Sequence, residues 1–171
     1  MATPQSAPKG RTPKLLTVTE KKHVPPNMIR VTLTSPELAS IPADCAGGHC
    51  KLFLPATGQT KAEFATQLEE GPRPTARTYT VRFARPESQE IDVDFVAHGD
   101  EGPASAWAEA AKPGDFIGFA GPGSPKIEAD ADWYLIAADM SALPLASASL
   151  EALPDDARGV AIFEITSEED R

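Results

Sequence analysis

Arg77-Thr78-Tyr79-Thr80-Val81-Arg82 is the stretch on which the fold turns. This β-branched and aromatic run is closed at both ends by arginine. It begins an alternation that sets Arg77, Tyr79, Val81 and Phe83 against Thr78, Thr80 and Arg82. A period of two is that of a half-buried strand. A second alternation follows, with Ile91, Val93 and Phe95 on one face and Asp92, Asp94, Val96 and His98 on the other; Arg85-Pro86-Glu87-Ser88-Gln89 between the two runs suits a hairpin turn.

After His98 the chain reads Gly99-Asp100-Glu101-Gly102-Pro103, and residues 104–112 form a short helical pattern stopped by Pro113-Gly114. Proline suits the first helical position, where its missing N–H would be unpaired anyway, so the helix is expected to start at Pro103. The amides of Ala104 and Ser105, with the positive end of the helix dipole, then make an anion site. Asp100 and Glu101 are compatible with an anion there only if they point to solvent.

Working outward toward the N-terminus, residues 1–13 carry three prolines and almost no bulky apolar residue, and are expected to be a loose arm. Residues 14–23 and 28–34 alternate as a hairpin around Pro25-Pro26-Asn27. One helical turn is expected at 37–40 and a third strand at 49–55. The polar stretch 56–74, ending Gly71-Pro72-Arg73-Pro74, reads as a long excursion of low order. With strands at 77 and 90, a helix at 103 and a sixth strand at 115–120, the short runs predict an all-β, six-stranded antiparallel Greek-key barrel with one short helix, over residues 14–124. Gly121-Pro122-Gly123-Ser124-Pro125 marks a boundary. Beyond it, an apolar strand at 132–138, a helix at 141–153 and a strand at 159–165 form a βαβ unit, a partial α/β nucleotide-binding domain over 125–171.

The motifs in this order resemble the siderophore-interacting proteins, FAD-dependent, NAD(P)H-using ferric-siderophore reductases of the ferredoxin-reductase superfamily. The resemblance is carried by the strand at 77–82, by Ile91-Asp92-Val93-Asp94-Phe95-Val96-Ala97-His98-Gly99, by Glu101-Gly102-Pro103-Ala104-Ser105-Ala106-Trp107 and by Pro113-Gly114-Asp115-Phe116-Ile117-Gly118-Phe119. Gly48-His49-Cys50-Lys51-Leu52-Phe53 and Trp133-Tyr134-Leu135-Ile136-Ala137-Ala138 extend it from about Leu15 to the end of the chain. An isoalloxazine ring needs an aromatic wall, a donor near N5 and cationic or amide donors for its phosphates. Tyr79, Thr80 and Arg77 supply one of each.

The resemblance implies that Arg77 contacts the FAD phosphates, Tyr79 packs on the flavin and Thr80 reaches N5, the last two being the candidate catalytic residues. It also implies that Asp94, Val96 and His98 follow the ribityl and phosphate path, with Gly102, Ala104 and Ser105 at the pyrophosphate. The electron donor would be NADH or NADPH and the substrate a ferric siderophore, with the remaining strands and basic siderophore-binding residues lying beyond Arg171. Where the family tends to place glycine, Ala138 stands, and Ala138-Asp139-Met140-Ser141 is not a glycine-rich phosphate loop. Because the nucleotide-binding domain is expected to be incomplete, a flavin or siderophore carrier without enzymatic activity is the rival reading.

Bland alternatives attach to the same residues. Tyr79 is either a flavin contact or an ordinary barrel residue, and His98 either a cofactor contact or a satisfied strand-end histidine. Arg73 and Arg85 are either part of an arginine cluster with Arg77 and Arg82 or strand-end cations in water. Asp92 and Asp94 share a face and point to solvent or to cofactor hydroxyls. Trp107 is expected in the core, and Trp133 and Tyr134 in packing roles.

The 171 residues carry a net charge of −9, which disfavours a nucleic-acid surface, since that needs a basic stripe. No stretch of eighteen apolar residues exists to span a membrane and the N-terminus lacks an apolar signal core, so a cytoplasmic protein is expected. Cys45 and Cys50, separated by Ala46-Gly47-Gly48-His49, match neither a Cys-x-x-Cys redox pair nor a zinc set, and no metal is expected.

Overall fold

In the computed structural model, residues 13–24, 26–97, 102–125 and 130–171 are described. Pro25, His98 and nearly all of the N-terminal arm lie outside them. Six strands close into an antiparallel barrel: β1 (Lys14–His23), β2 (Met28–Thr34), β3 (His49–Phe53), β4 (Ala76–Arg85), β5 (Glu90–Val96) and β6 (Phe116–Ala120). Their order around the barrel is β1-β2-β5-β4-β3-β6, with β6 returning to β1. Because β2 pairs with β5 along its length and β3 lies between β4 and β6, the connections are those of a Greek key and no strand is left with an open edge.

The alternating apolar residues meet inside. Leu16, Ile29, Val31, Leu33, Leu52, Val81, Ile91, Val93, Phe95, Ile117 and Phe119 are fully buried in one cluster. The alternation in β4 holds only as far as Val81. A bulge between Val81 and Phe83 shifts the register, so Val81 opposes Val93 while Phe83 opposes Asp92 and Ala84 opposes Ile91. An extra residue in one strand reverses which face its successors occupy. Phe83, expected on the face of Val81, instead packs against the guanidinium groups of Arg30 and Arg82, at 4.9 and 4.1 Å from its ring centre.

The stretch 56–74 is not of low order. It contains α1 (Lys61–Glu70), opened by a reciprocal cap in which the Thr60 hydroxyl accepts from the Glu63 amide and the Glu63 carboxylate accepts from the Thr60 amide. Phe64 and Leu68, one turn apart, pack with Phe53 and Phe116 on the outside of the barrel. The apolar pair is too sparse in a polar segment to signal a helix by periodicity; the Thr60-x-x-Glu63 cap was the available clue.

Helix α2 (Pro103–Ala110) starts at the expected proline, with Gly102 as an N-cap that provides no side-chain hydrogen bond. After β6 come β7 (Tyr134–Ala138), α3 (Leu143–Glu151) and β8 (Gly159–Phe163), and β7 and β8 pair in parallel. Met140 and the partly buried Leu143 and Ile165 of this part pack on Met28 and Val96 of the barrel, and Asp170 accepts from both the backbone and side-chain nitrogens of Asn27 at 3.0 and 2.8 Å. Leu135, Val160 and Ile162 on the two-stranded sheet are 62, 49 and 59% exposed. Among the described residues no helix is long and apolar enough to cross a membrane.

Candidate functional site

Where β4, β5 and the start of α2 converge, a cleft of about 350 Å³ opens on the barrel surface. Arg77, Tyr79, Thr80, Asp94, Val96, Gly102, Ala104 and Ser105 all line it. These eight come from three segments and meet because β4 and β5 are neighbours in the barrel and the first turn of α2 is bonded to the end of β5. His98, the ninth residue expected here, lies outside the described residues.

The Tyr79 ring lies 4.5 Å from that of Phe95, which in turn is 5.8 Å from Trp107, so the phenol is backed by a continuous aromatic layer. Burial pushes the Tyr79 hydroxyl above its ordinary pKa, opposed by the positive charge of Arg77. Thr80 is half-buried and stands opposite His49 in the β3–β4 register. Arg77 is exposed; its Nη1 donates to the Ala76 carbonyl at 2.9 Å, and no carboxylate pairs with it among the described residues. The Ser105 hydroxyl donates to the Val96 carbonyl at 3.0 Å, which seats the first turn of α2 against the end of β5.

The arginines divide into two kinds. Arg30 grips Asp94 through two bonds of 2.7 Å, Arg85 holds Asp92 at 2.7 and 3.0 Å and approaches Glu90, and Arg82 is paired with Glu151 of α3. Arg85 is thus not a strand-end cation in water. Asp92 is not turned to solvent or to a cofactor: it is buried, and its carboxyl also accepts from the Thr32 hydroxyl at 2.8 Å. Asp94 keeps an edge on the cleft while Arg30 holds its oxygens. Arg73 and Arg77 alone in the β4 region have no acid partner among the described residues.

Five lining residues were not among the expected ones: Thr78 and Pro103, which adjoin them in the chain, and three from elsewhere. His49, at the start of β3, edges the cleft beside Thr80, and Ser141 and Pro144 reach it from the start of α3. Asp139 accepts from the Ser141 hydroxyl at 2.7 Å and the Ala142 amide at 3.0 Å, a compact turn that brings this segment to the barrel. The resemblance pointed to the region, but no local signal joined it to a strand sixty residues earlier. Cys50 of β3 is buried in the core, and burial pushes its thiol up to about 12, so it is a packing residue at neutral pH.

Comparison with known proteins decides the family. The siderophore-interacting FAD-binding domain matches residues 17–126, and the siderophore-interacting protein domain matches residues 131–171. The chain belongs to the siderophore-interacting protein family. It is 40% identical to the ferric vibriobactin reductase ViuB of Vibrio cholerae over 167 residues, which cover 93% of this chain and 61% of that protein. To the NADPH-dependent ferric-chelate reductase of Escherichia coli it is 33% identical, over 81% of this chain and 56% of that one. The crystal structure of the siderophore-interacting protein SipS from Aeromonas hydrophila superposes with a TM-score of 0.79 at 40% identity, over 94% of this chain and 62% of SipS. The chain thus spans about three fifths of the length of the relatives it matches.

The cleft of this siderophore-interacting protein suits the FAD for which its barrel family is named. It offers an aromatic wall, a cation with no acid partner among the described residues and a helix N-terminus without a side-chain cap there, the donor set that a flat ring with a diphosphate requires.

Proposed function

We propose that this chain is the flavin end of a ferric-siderophore reductase that works in the cytoplasm with NADH or NADPH as donor. The observation that carries the reading is the convergence of Arg77, Tyr79, Thr80 and the α2 N-terminus on one cleft. When bound, FAD supplies the exchange between a two-electron hydride donor and one-electron reduction of iron(III). The chain's own residues supply position and field. Tyr79, backed by Phe95 and Trp107, would pack on the ring; Thr80 would supply the donor near N5; Arg77 and the first amides of α2 would hold the diphosphate. Asp94, held by Arg30, would accept from ribityl hydroxyls. Iron(II) binds hard oxygen ligands less tightly than iron(III), so its formation releases the metal from the chelator. In this reading residues 14–124 hold the flavin and 125–171 begin the nicotinamide-binding part.

A second reading is favoured by one feature. Ala138 and the Asp139–Ala142 turn fill the place where a glycine-rich loop would approach a pyrophosphate. On that reading the chain holds flavin without nicotinamide-dependent turnover. Purified protein with absorbance bands near roughly 370 and 450 nm supports flavin binding in either case. NAD(P)H oxidation coupled to trapping of iron(II) by a chelator then supports the reductase, and a yellow protein without it supports the carrier. Protein that stays colourless in excess FAD defeats both.

A further inference from the structure

Helix α3 meets the barrel along one stripe, and three residues of that stripe make three different contacts. Pro144 is buried and lines the cleft of Tyr79 and Thr80. Ala148 is buried against Gly47, where an added Cβ would lie 3.4 Å from that of Ala148. Glu151 takes two bonds from the Arg82 guanidinium, at 2.8 and 2.5 Å. Residues four and then three positions apart share a helix face. The three contacts therefore lie on one line along α3, about 10 Å long at 1.5 Å per residue.

Both anchors on the barrel side sit beside Val81. The Gly47 amide donates to the Val81 carbonyl at 2.8 Å, and Arg82 is the extra residue of the β4 bulge, between Val81 opposite Val93 and Phe83 opposite Asp92. In an uninterrupted strand Arg82 would share the face of Thr80, which lines the cleft. The bulge re-aims it to α3, where only 10% of its side chain is exposed and Phe83 packs on the guanidinium at 4.1 Å.

Resting on the flavin reading above, we propose that Glu151 is a positioning residue for the flavin: by its grip on Arg82 it sets α3, and with it Pro144, as the wall that faces the barrel side of the cleft. Pro144 and Ala148 are small, bury little area and leave a helix free to slide or turn on its bed. A two-bonded charge pair is directional and removes that freedom. Among the described residues no other ion pair joins α3 to the barrel. The Glu151 side chain is 54% exposed, so the pair adds little to the stability of the fold while it fixes where the helix sits. A displacement at Glu151 is carried along the helix to the cleft.

The test is a double-mutant cycle on the flavin-free 171-residue chain, titrated with FAD by flavin fluorescence, with the visible circular dichroism of the bound flavin as the readout of its walls. Glu151→Gln should weaken FAD binding roughly threefold to tenfold, the range of one ordinary hydrogen bond, and change the dichroism bands. Pro144→Ala should do the same, and the double variant should bind no worse than the weaker single one. Glu164→Gln, which removes an exposed acid from the same part of the chain, should change neither readout. Unchanged affinity and dichroism in Glu151→Gln, losses that add in the double variant, or an equal loss in Glu164→Gln overturn the positioning role and leave the flavin reading intact. A parent chain that binds no FAD overturns the flavin reading and the positioning role together.

Discussion

Arg30 and Asp94 stand directly opposite each other in the β2–β5 register, and the guanidinium closes on the carboxylate through two parallel bonds of 2.7 Å. Only 14% of the Arg30 side chain and 6% of that of Asp94 are exposed. Two bonds in a fixed fork, largely out of water, hold the acid at the cleft edge in one orientation. Removing the cation should therefore hurt more than removing the pair. Arg30→Ala leaves a buried charge without compensation and is expected to cost about 3 kcal/mol in urea denaturation. Arg30→Met with Asp94→Leu should recover most of that loss; a double variant as unstable as the single one would show that the pair itself is a net stabiliser.

Stability should fall in acid through the Arg85–Asp92 pair. Burial by itself would raise the Asp92 carboxyl, but hydrogen bonds from Arg85 and Thr32 outweigh it and hold the group below its ordinary range. A carboxyl whose pKa is lower folded than unfolded contributes fully above the unfolded value and loses that contribution as pH falls through the folded one. Glu151, lowered by the hydrogen bond from Arg82, acts in the same sense. The expected outcome is a melting temperature that drops below about pH 4, the unperturbed carboxylate range. Asp92→Asn should flatten that drop, and an unchanged slope would remove Asp92 from the acid transition.

Loss of Arg77 should weaken FAD without unfolding the barrel. The side chain is exposed and, among the described residues, bonds to one backbone carbonyl, so Arg77→Ala should leave thermal stability within about 0.5 kcal/mol. FAD affinity should fall by about 1.5 kcal/mol, the lower end for hydrogen bonds to charged groups, since the guanidinium starts in water. A variant that retains FAD unchanged would take Arg77 out of the phosphate site.

Gly48 is a position where even one methyl group has no room. A Cβ there would run into the Gly123 carbonyl oxygen and lie 2.8 Å from the carbonyl of Cys45, both backbone atoms. The Gly48 amide donates to that Cys45 carbonyl, and the Gly48 carbonyl accepts from Val81 at 2.9 Å, so the segment is pinned from two sides. Gly48→Ala should cost about 2 kcal/mol and, by displacing the start of β3, disturb His49 at the cleft. Equilibrium denaturation showing no loss would mean that the loop after β6 can move aside.

The strands were legible in the sequence because burial on one face of a barrel writes itself as a period of two, and β1, β2, β5 and β6 carry it. The helix α2 was legible through Pro103. The helix α1 was not, since its two apolar contacts are hidden in a polar segment and only the Thr60 and Glu63 cap betrays it. Nor was the outward turn of Phe83, because the bulge at Arg82 is visible only in the pairing of β4 with β5.

Local order along the chain determined what each segment is, alternating strands and a proline-started helix, while Arg77, Tyr79 and Thr80 were singled out as a set by the family resemblance. Tertiary structure alone decided which arginines are spoken for. Arg30, Arg82 and Arg85 look no different from Arg73 and Arg77 in the linear text, yet their partners Asp94, Glu151 and Asp92 reach them only through strand pairing and the docking of α3. Charge pairing depends on distances of a few ångströms between residues as much as sixty-nine positions apart, and no local pattern encodes such a distance.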